Sequence, residues 1–400
     1  MSGALEGIQV IECNRVPPGS LATVLLADMG ADVIRVVEPG GGEAVDEAAA
    51  SRRRQRRAGQ WVDRNKRSLS LDLKKPEAQE ILQQLAARAD VFVEGFRPGV
   101  TKRLGADYET LSKLNPRLVY CSLSGFGQDG PYRDFPAHDI NYLSLAGVLN
   151  QLGQPGAEPT IPLNLVADYA GASMHGALGV MFALFARERT GKGQMVDVAY
   201  LDSTISLLSA VPSFMAFFAG GPEPQRGLGT FDGSRPYYTT YTCSDGKQLS
   251  IGSTEPHLWH NFCNAVDRPD LKAAELQPGE GIRGPRPEQV AAKKAVAELM
   301  ATKDRDTWFD QLTAADVCVG KVYDPHEVFA DPQVRHRQMA LDLDIDGTTV
   351  LNPGVAIKLS DTPGDVRFPT PMSGAHTDEI LADLGYSDGD VADLRAAGTV

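Results

Sequence analysis

Along its first half the chain alternates short apolar runs with helical periodicities. Residues 7–12 (GIQVIE) and 31–37 (ADVIRVV) read as buried strands, and residues 20–29 between them carry apolar positions at helical spacing, closed by Gly30. The alternation continues with an amphipathic helix over 76–88 and strands over 91–94 and 118–123. Short, nearly continuous apolar strands separated by helices predict a parallel sheet covered on both faces. A long helix of small residues is expected from Asp168 to Arg189, stopped at Thr190-Gly191-Lys192-Gly193. A strand over 194–198 and a helical stretch over 203–219 follow.

Residues 220–235 are crowded with Gly, Pro and charge, the pattern of a domain boundary. Beyond them, 237–243 and 248–251 make a hairpin-like pair around Ser244-Asp245-Gly246-Lys247, whose Asp-Gly supplies positive φ. Helical stretches fill the region to Leu312, and from Pro325 the tail is expected to return to short strands and turns. The predicted class is α/β: a Rossmann-like parallel-sheet large domain with a smaller α+β domain. The expected segments are 1–200 for the first part of the large domain, 201–235 for a linker, 236–325 for the small domain, and 326–400 for the return segment and C-terminal tail.

A chain of 400 residues exceeds what one core usually organises, which agrees with two domains. No apolar run was found that is long enough to cross a bilayer, so no membrane partner is expected. Met1 to Glu12 lacks the basic and apolar regions of a signal peptide, and the five scattered cysteines show no paired spacing; a cytoplasmic location is expected. The net charge of −13 argues against nucleic acid. One basic island, Arg52, Arg53, Arg54, Arg56, Arg57, Arg64, Lys66 and Arg67, is either a site for a small polyanion or a solvated face. Residues 40–58 are biased enough in composition to suggest mobility.

The turn after the first strand, ECNRVPPGSLA, lacks G-x-G-x-x-G, and no G-x-x-x-x-G-K-[ST] occurs, so neither NAD nor ATP is indicated. There is no G-x-S-x-G elbow, and His257 and His260 have no partners at zinc spacing, so no metal is expected. Three polar candidates remain. His138, beside Asp139 at the start of a helix expected over 140–149, is either a neutral imidazole base tuned by the helix end or a simple cap. Asp168 stands where an apolar strand gives way to a helix of small residues; burial there would raise its pKa into a range useful for proton transfer, unless it too is only a cap. Glu255, held extended before Pro256, is either aimed across a domain boundary or a surface turn residue.

Three separated blocks, residues 25–36 (LLADMGADVIRV), 94–99 (EGFRPG) and 124–131 (SGFGQDGP), resemble the class III CoA-transferase superfamily, with a looser match to about Tyr323. Within it, residues 137–142 (AHDINY), 162–168 (PLNLVAD), 316–319 (DVCV) and 252–256 (GSTEP) are similar to the α-methylacyl-CoA racemase branch. That resemblance implies an interlocked homodimer acting on acyl-CoA in lipid and fatty acid metabolism, with no cofactor beyond the CoA of the substrate. It implies His138, Asp168 and Glu255 as catalytic, and Asp139, Asn164, Tyr237 and Cys318 around the substrate. Glu255, Tyr237 and Cys318 would face His138 and Asp168 across the subunit boundary. By the same carry-over Arg35, Leu71, Lys74, Gly95, Arg97 and Arg103 would line the CoA site.

The implied reaction inverts the α-carbon of a 2-methylacyl-CoA: two groups on opposite sides of the carbon exchange its proton through an enolate, stabilised by backbone N–H groups beyond Asp168. The rival is a CoA-transferase in which Asp168 attacks the thioester as a nucleophile through a mixed anhydride. A third reading is a non-catalytic acyl-CoA-binding protein. Two departures from the family pattern stand out: a longer segment over 40–60, and Ala172 where glycine is common, a methyl expected to crowd the thioester.

Overall fold

A computed structural model describes residues 3–14, 17–40, 55 and 57–400. Half of the basic island, Arg52, Arg53, Arg54 and Arg56, together with much of the 40–60 segment, lies outside the described residues. The chain forms two compact units: Met1–Tyr142, Asn164–Thr204 and Phe329–Val400 make one, Leu143–Leu163 and Ile205–Val328 the other.

The first unit is built on a six-stranded sheet of order β3-β2-β1-β4-β5-β6, every neighbour parallel. Its strands are β1 (Gln9–Cys13), β2 (Asp32–Val37), β3 (Lys66–Ser70), β4 (Val91–Glu94), β5 (Val119–Ser124) and β6 (Met195–Ala199). β1, β4 and β5 are buried at nearly every position because helices cover both faces. Helix α1 (Pro17–Asp28) follows β1; α2 (Pro76–Arg88) packs Ala78, Ile81, Leu82 and Leu85 into the core. This is the doubly wound order, whose reversal between β1 and β4 opens a crevice at the strand C-termini.

β3 does not fit the expected pattern, because its sequence KRSLS opens with two charges. Both are internally matched: Lys66, fully buried, donates to Glu12 Oε2 at 2.7 Å, and Arg67 pairs with Asp32 at 2.5 Å. Arg64 is likewise held by Asp28 at 2.6 Å. Lys66 and Arg64 therefore neutralise buried carboxylates and Arg67 a partly exposed one, and none of the three is free for a polyanion. Burial alone would raise Glu12, yet the Lys66 and Arg35 charges and the hydrogen bonds from Lys66 and Ser20 hold it down at about 2.

The next elements are α3 (Asp139–Leu145), a π-helical segment Leu165–Ser173 and α4 (Met174–Thr190), stopped by Gly191 at φ 68° as the Gly-containing stop requires. Leu165–Thr190 is one helical rod of 26 residues, long and apolar enough to cross a membrane by length and composition, contrary to the expectation that no such run exists. The rod nonetheless lies on the sheet, with Gly176, Val180, Ala183 and Leu184 buried. The helical stretch expected over 203–219 is in fact two helices, Tyr200–Ser209 and Pro212–Phe218, bent by 90° where Val211 adopts the extended backbone that precedes proline. The tail also differs from expectation: the hairpin β10 (Ala340–Ile345) and β11 (Thr348–Pro353) is flanked by helices, including Thr377–Leu384 and Asp388–Ala396.

The second unit carries the antiparallel sheet β7-β8-β9, from Tyr238–Thr242, Gln248–Gly252 and Val319–Lys321. The helices Pro256–Ala265, Pro287–Met300 and Arg305–Thr313 pack on it around Trp259, Phe262, Val296 and Trp308.

Candidate active site

Asp139 is the first helical residue of α3 and is 5% exposed. Its Oδ2 accepts the backbone N–H groups of Ala167 and of Asp168, each at 2.9 Å. One carboxylate thus caps the π-helical segment and holds the Asp168 backbone in register with the residue next to His138. A segment of this wider turn leaves its first N–H groups unpaired by the helix, so it depends on such a partner. Leu163, two residues upstream of the segment, sits at φ 58°, a left-handed conformation costly for a leucine and a sign that the local path is imposed from outside.

The Asp168 side chain is partly buried and accepts from Asn164 Nδ2 at 3.1 Å. Burial is the main cause raising its pKa above the ordinary aspartate value; Asn164 opposes this, Asp139 adds to it, and the nearby His138 opposes it. The last contribution sets His138 within electrostatic reach of Asp168. The His138 side chain is exposed, and its backbone N–H donates to Asn141 Oδ1 at 3.0 Å. Ser173 Oγ donates to the carbonyls of Asp168 at 2.8 Å and Pro18 at 2.7 Å, tying the segment to the first turn of α1. Burial and the adjacent Asp168 lift the Tyr142 phenol to about 12, with Arg97 close enough to oppose them. Ala172 is fully buried, so its methyl packs inward and does not crowd a ligand as expected.

Because Asp139 satisfies two buried donors, Asp139→Ala should cost about 2–4 kcal/mol of stability and lower turnover through a misplaced Asp168. Asp139→Asn, whose amide oxygen accepts the same bonds, should recover most of both. Thermal melts and turnover of the pair check this.

At the C-terminal ends of the strands a cleft of about 450 Å³ is lined by Arg35, Leu71, Lys74, Cys13, Asn14 and Phe96, among others. Three residues expected to bind CoA therefore meet there. Gly95 lies between Glu94 and the cleft residue Phe96, while Arg97 and Arg103 are exposed nearby in sequence. Arg35 also pairs with Asp63 and approaches Glu12 at 3.6 Å. Glu94, not anticipated as a functional group, accepts from the Ser122 hydroxyl and from Phe96 N at 2.8 Å, and burial pushes it up to about 7. It shapes the Glu94-Gly95-Phe96 turn.

In the second unit the remaining candidates gather at one end of the small sheet. Gly252 N donates to the Cys318 carbonyl and Ser253 N to that of Tyr237, each at 2.8 Å. Glu255, exposed, precedes the helix Pro256–Ala265 and accepts from Thr254 at 3.0 Å; Cys318 is an exposed free thiol. Tyr237 departs from expectation: it is fully buried, its ring against Trp259 at 5.7 Å and its hydroxyl accepting from Gln289 at 3.2 Å. Hydrophobic packing makes it a core residue with no surface for a substrate. Among the described residues no group of three or more His, Cys, Asp or Glu side chains converges as metal ligands do.

Comparison with known proteins bears on these groups. The family model for CoA-transferase family III matches residues 5–377. An α-methylacyl-CoA racemase of Homo sapiens is 37% identical over 98% of this chain and 96% of its own length. The succinyl-CoA–L-malate CoA-transferase beta subunit of Chloroflexus aurantiacus is 32% identical over 98% of this chain and 97% of its own. Among solved structures, a CAIB/BAIF family protein from Brucella suis superposes with a TM-score of 0.77 at 28% identity, over 96% of this chain and 100% of that one. With the doubly wound sheet, the cleft at its strand ends and a match over nearly the whole length, the chain belongs to CoA-transferase family III, a family of enzymes.

Proposed function

We propose that the protein is a racemase that inverts the α-carbon of 2-methylacyl-CoA thioesters, with His138 and Asp168 as the two bases. The observation that supports this reading is the Asp139 carboxylate, which binds the Asp168 backbone while its own chain neighbour is His138, so one carboxylate links the backbone at positions 138 and 168. One group takes the α-proton and the thioester carbonyl becomes an enolate; the conjugate acid of the other returns a proton to the opposite face. The N–H groups of Ala167 and Asp168 already serve Asp139, so the enolate oxygen draws on donors further along the segment. The racemase relative supports this choice; the transferase relative supports the rival, in which Asp168 is a nucleophile.

We further propose a homodimer in which the second unit of one copy brings Glu255 and Cys318 to the site of the other. In support, Met174, Leu178, Phe182 and Phe185 form an apolar stripe on α4 that this single chain leaves exposed, Phe185 by 69%. A reducing cytoplasm suits five cysteines that are all free.

The test is incubation with a 2-methylacyl-CoA in deuterated water, following the α-hydrogen by NMR. The proposal expects deuterium incorporation and loss of stereochemistry. A hydroxylamine- or borohydride-sensitive adduct at Asp168 without exchange would establish the transferase, and neither result would leave an acyl-CoA-binding protein.

A further inference from the structure

The two central strands end side by side: Cys13 of β1 pairs with Glu94 of β4, and the next residues are Asn14 and Gly95. This is the reversal point at which doubly wound sheets receive ligands. Asn14 borders the cleft there, is 5% exposed, and has no hydrogen-bond partner for either Nδ2 or Oδ1. Buried polar groups are overwhelmingly paired, so a carboxamide with both ends bare at a cleft wall lacks its partner.

Bare backbone grips this amide on two sides. A Cβ added at Gly19 would lie 2.3 Å from Asn14 Cγ, and one added at Gly95 would lie 2.7 Å from its Oδ1. Both glycines therefore make room for the side chain. The first turn of α1, which contains Gly19, also supplies the Pro18 carbonyl that Ser173 binds together with the Asp168 carbonyl. Asn14 thus stands on the side of the cleft linked to the reacting carboxyl.

We propose that Asn14 is a substrate-binding residue whose carboxamide pairs with an amide of the pantetheine arm of the acyl-CoA. The inference rests on the acyl-CoA reading above and deepens it. A carboxamide edge presents a donor beside an acceptor, and a secondary amide presents the complementary pair. A thioester oxygen, an enolate or a phosphate would engage Nδ2 alone and leave Oδ1 bare. An adenine edge offers both functions, but it belongs to the end of CoA remote from the thioester, whereas Asn14 is tied to the Asp168 side.

Calorimetric titration of wild type and Asn14→Leu with free CoA and with adenosine 3′,5′-bisphosphate, beside melts without ligand, tests the assignment. Asn14→Leu should weaken CoA binding about 10-fold, leave the bisphosphate unchanged, and melt at the same or a higher temperature, since the lost amide had no partner. If that variant does not fold, Asn14→Ala removes the amide without added bulk, and CoA analogues with an arm amide replaced by an ester should bind wild type correspondingly weakly. Equal loss for both ligands, or unaltered CoA affinity beside normal wild-type binding, overturns the proposal alone. A wild type that binds neither ligand overturns the acyl-CoA reading and the proposal with it.

Discussion

Asp168→Asn is expected to lower α-hydrogen exchange by roughly 10²–10⁴-fold, the usual contribution of a positioned acid or base. The fold should survive, because a carboxamide oxygen can still accept from Asn164 and the backbone bonds to Asp139 are untouched. Stability should move the opposite way to activity. The Asp168 pKa is raised in the folded protein, chiefly by burial, so the folded state holds this proton more firmly than the unfolded chain. Ionised Asp168 therefore costs stability at neutral pH, and the cost disappears as the pH falls through the raised value. Asp168→Asn removes it, so the variant should melt no lower than wild type at pH 7, and its advantage should vanish in acid. In wild type the acid limb of the exchange rate should lie above the ordinary aspartate range. Melts and exchange rates from pH 4 to 8 check both; a variant that exchanges within a few-fold of wild type would remove Asp168 from the chemistry.

Much of the framework was legible because burial on both faces leaves a plain apolar signature. β1, β4 and β5 and the helix Pro76–Arg88 fall where apolar runs and helical spacing set them. β3 was not, since Lys66 and Arg67 look like surface charge until Glu12 and Asp32 are known to be beside them. The final helix carried a readable signal, the reciprocal cap of Ser387 and Asp390. The π-helical pitch of Leu165–Ser173 was hidden, because the pattern of small and apolar residues fits a 3.6-residue period as well.

The site divides in the same way. His138, Asp139 and Asp168 stood out as polar residues among apolar ones, whereas the bonds from Asp139 join positions 28 and 29 residues apart and exist only in three dimensions. Family resemblance drew Tyr237 into the substrate site, yet the packing of its own sheet encloses it. Asn14 carried no signal beyond two glycines at positions 19 and 95, which acquire meaning once both are seen to press on its amide.

His138→Ala tests the two-base account most directly. Each base serves one face of the α-carbon, so removing the imidazole should slow exchange of one enantiomer of a 2-methylacyl-CoA by roughly 10²-fold or more. The other enantiomer should still lose its α-proton to Asp168, regaining deuterium without inversion. NMR of the two enantiomers, each incubated separately with wild type and His138→Ala in deuterated water, reads this asymmetry. Strongly unequal exchange with racemisation abolished is the predicted result. Equal exchange of both enantiomers, or wild-type racemisation by His138→Ala, would contradict it.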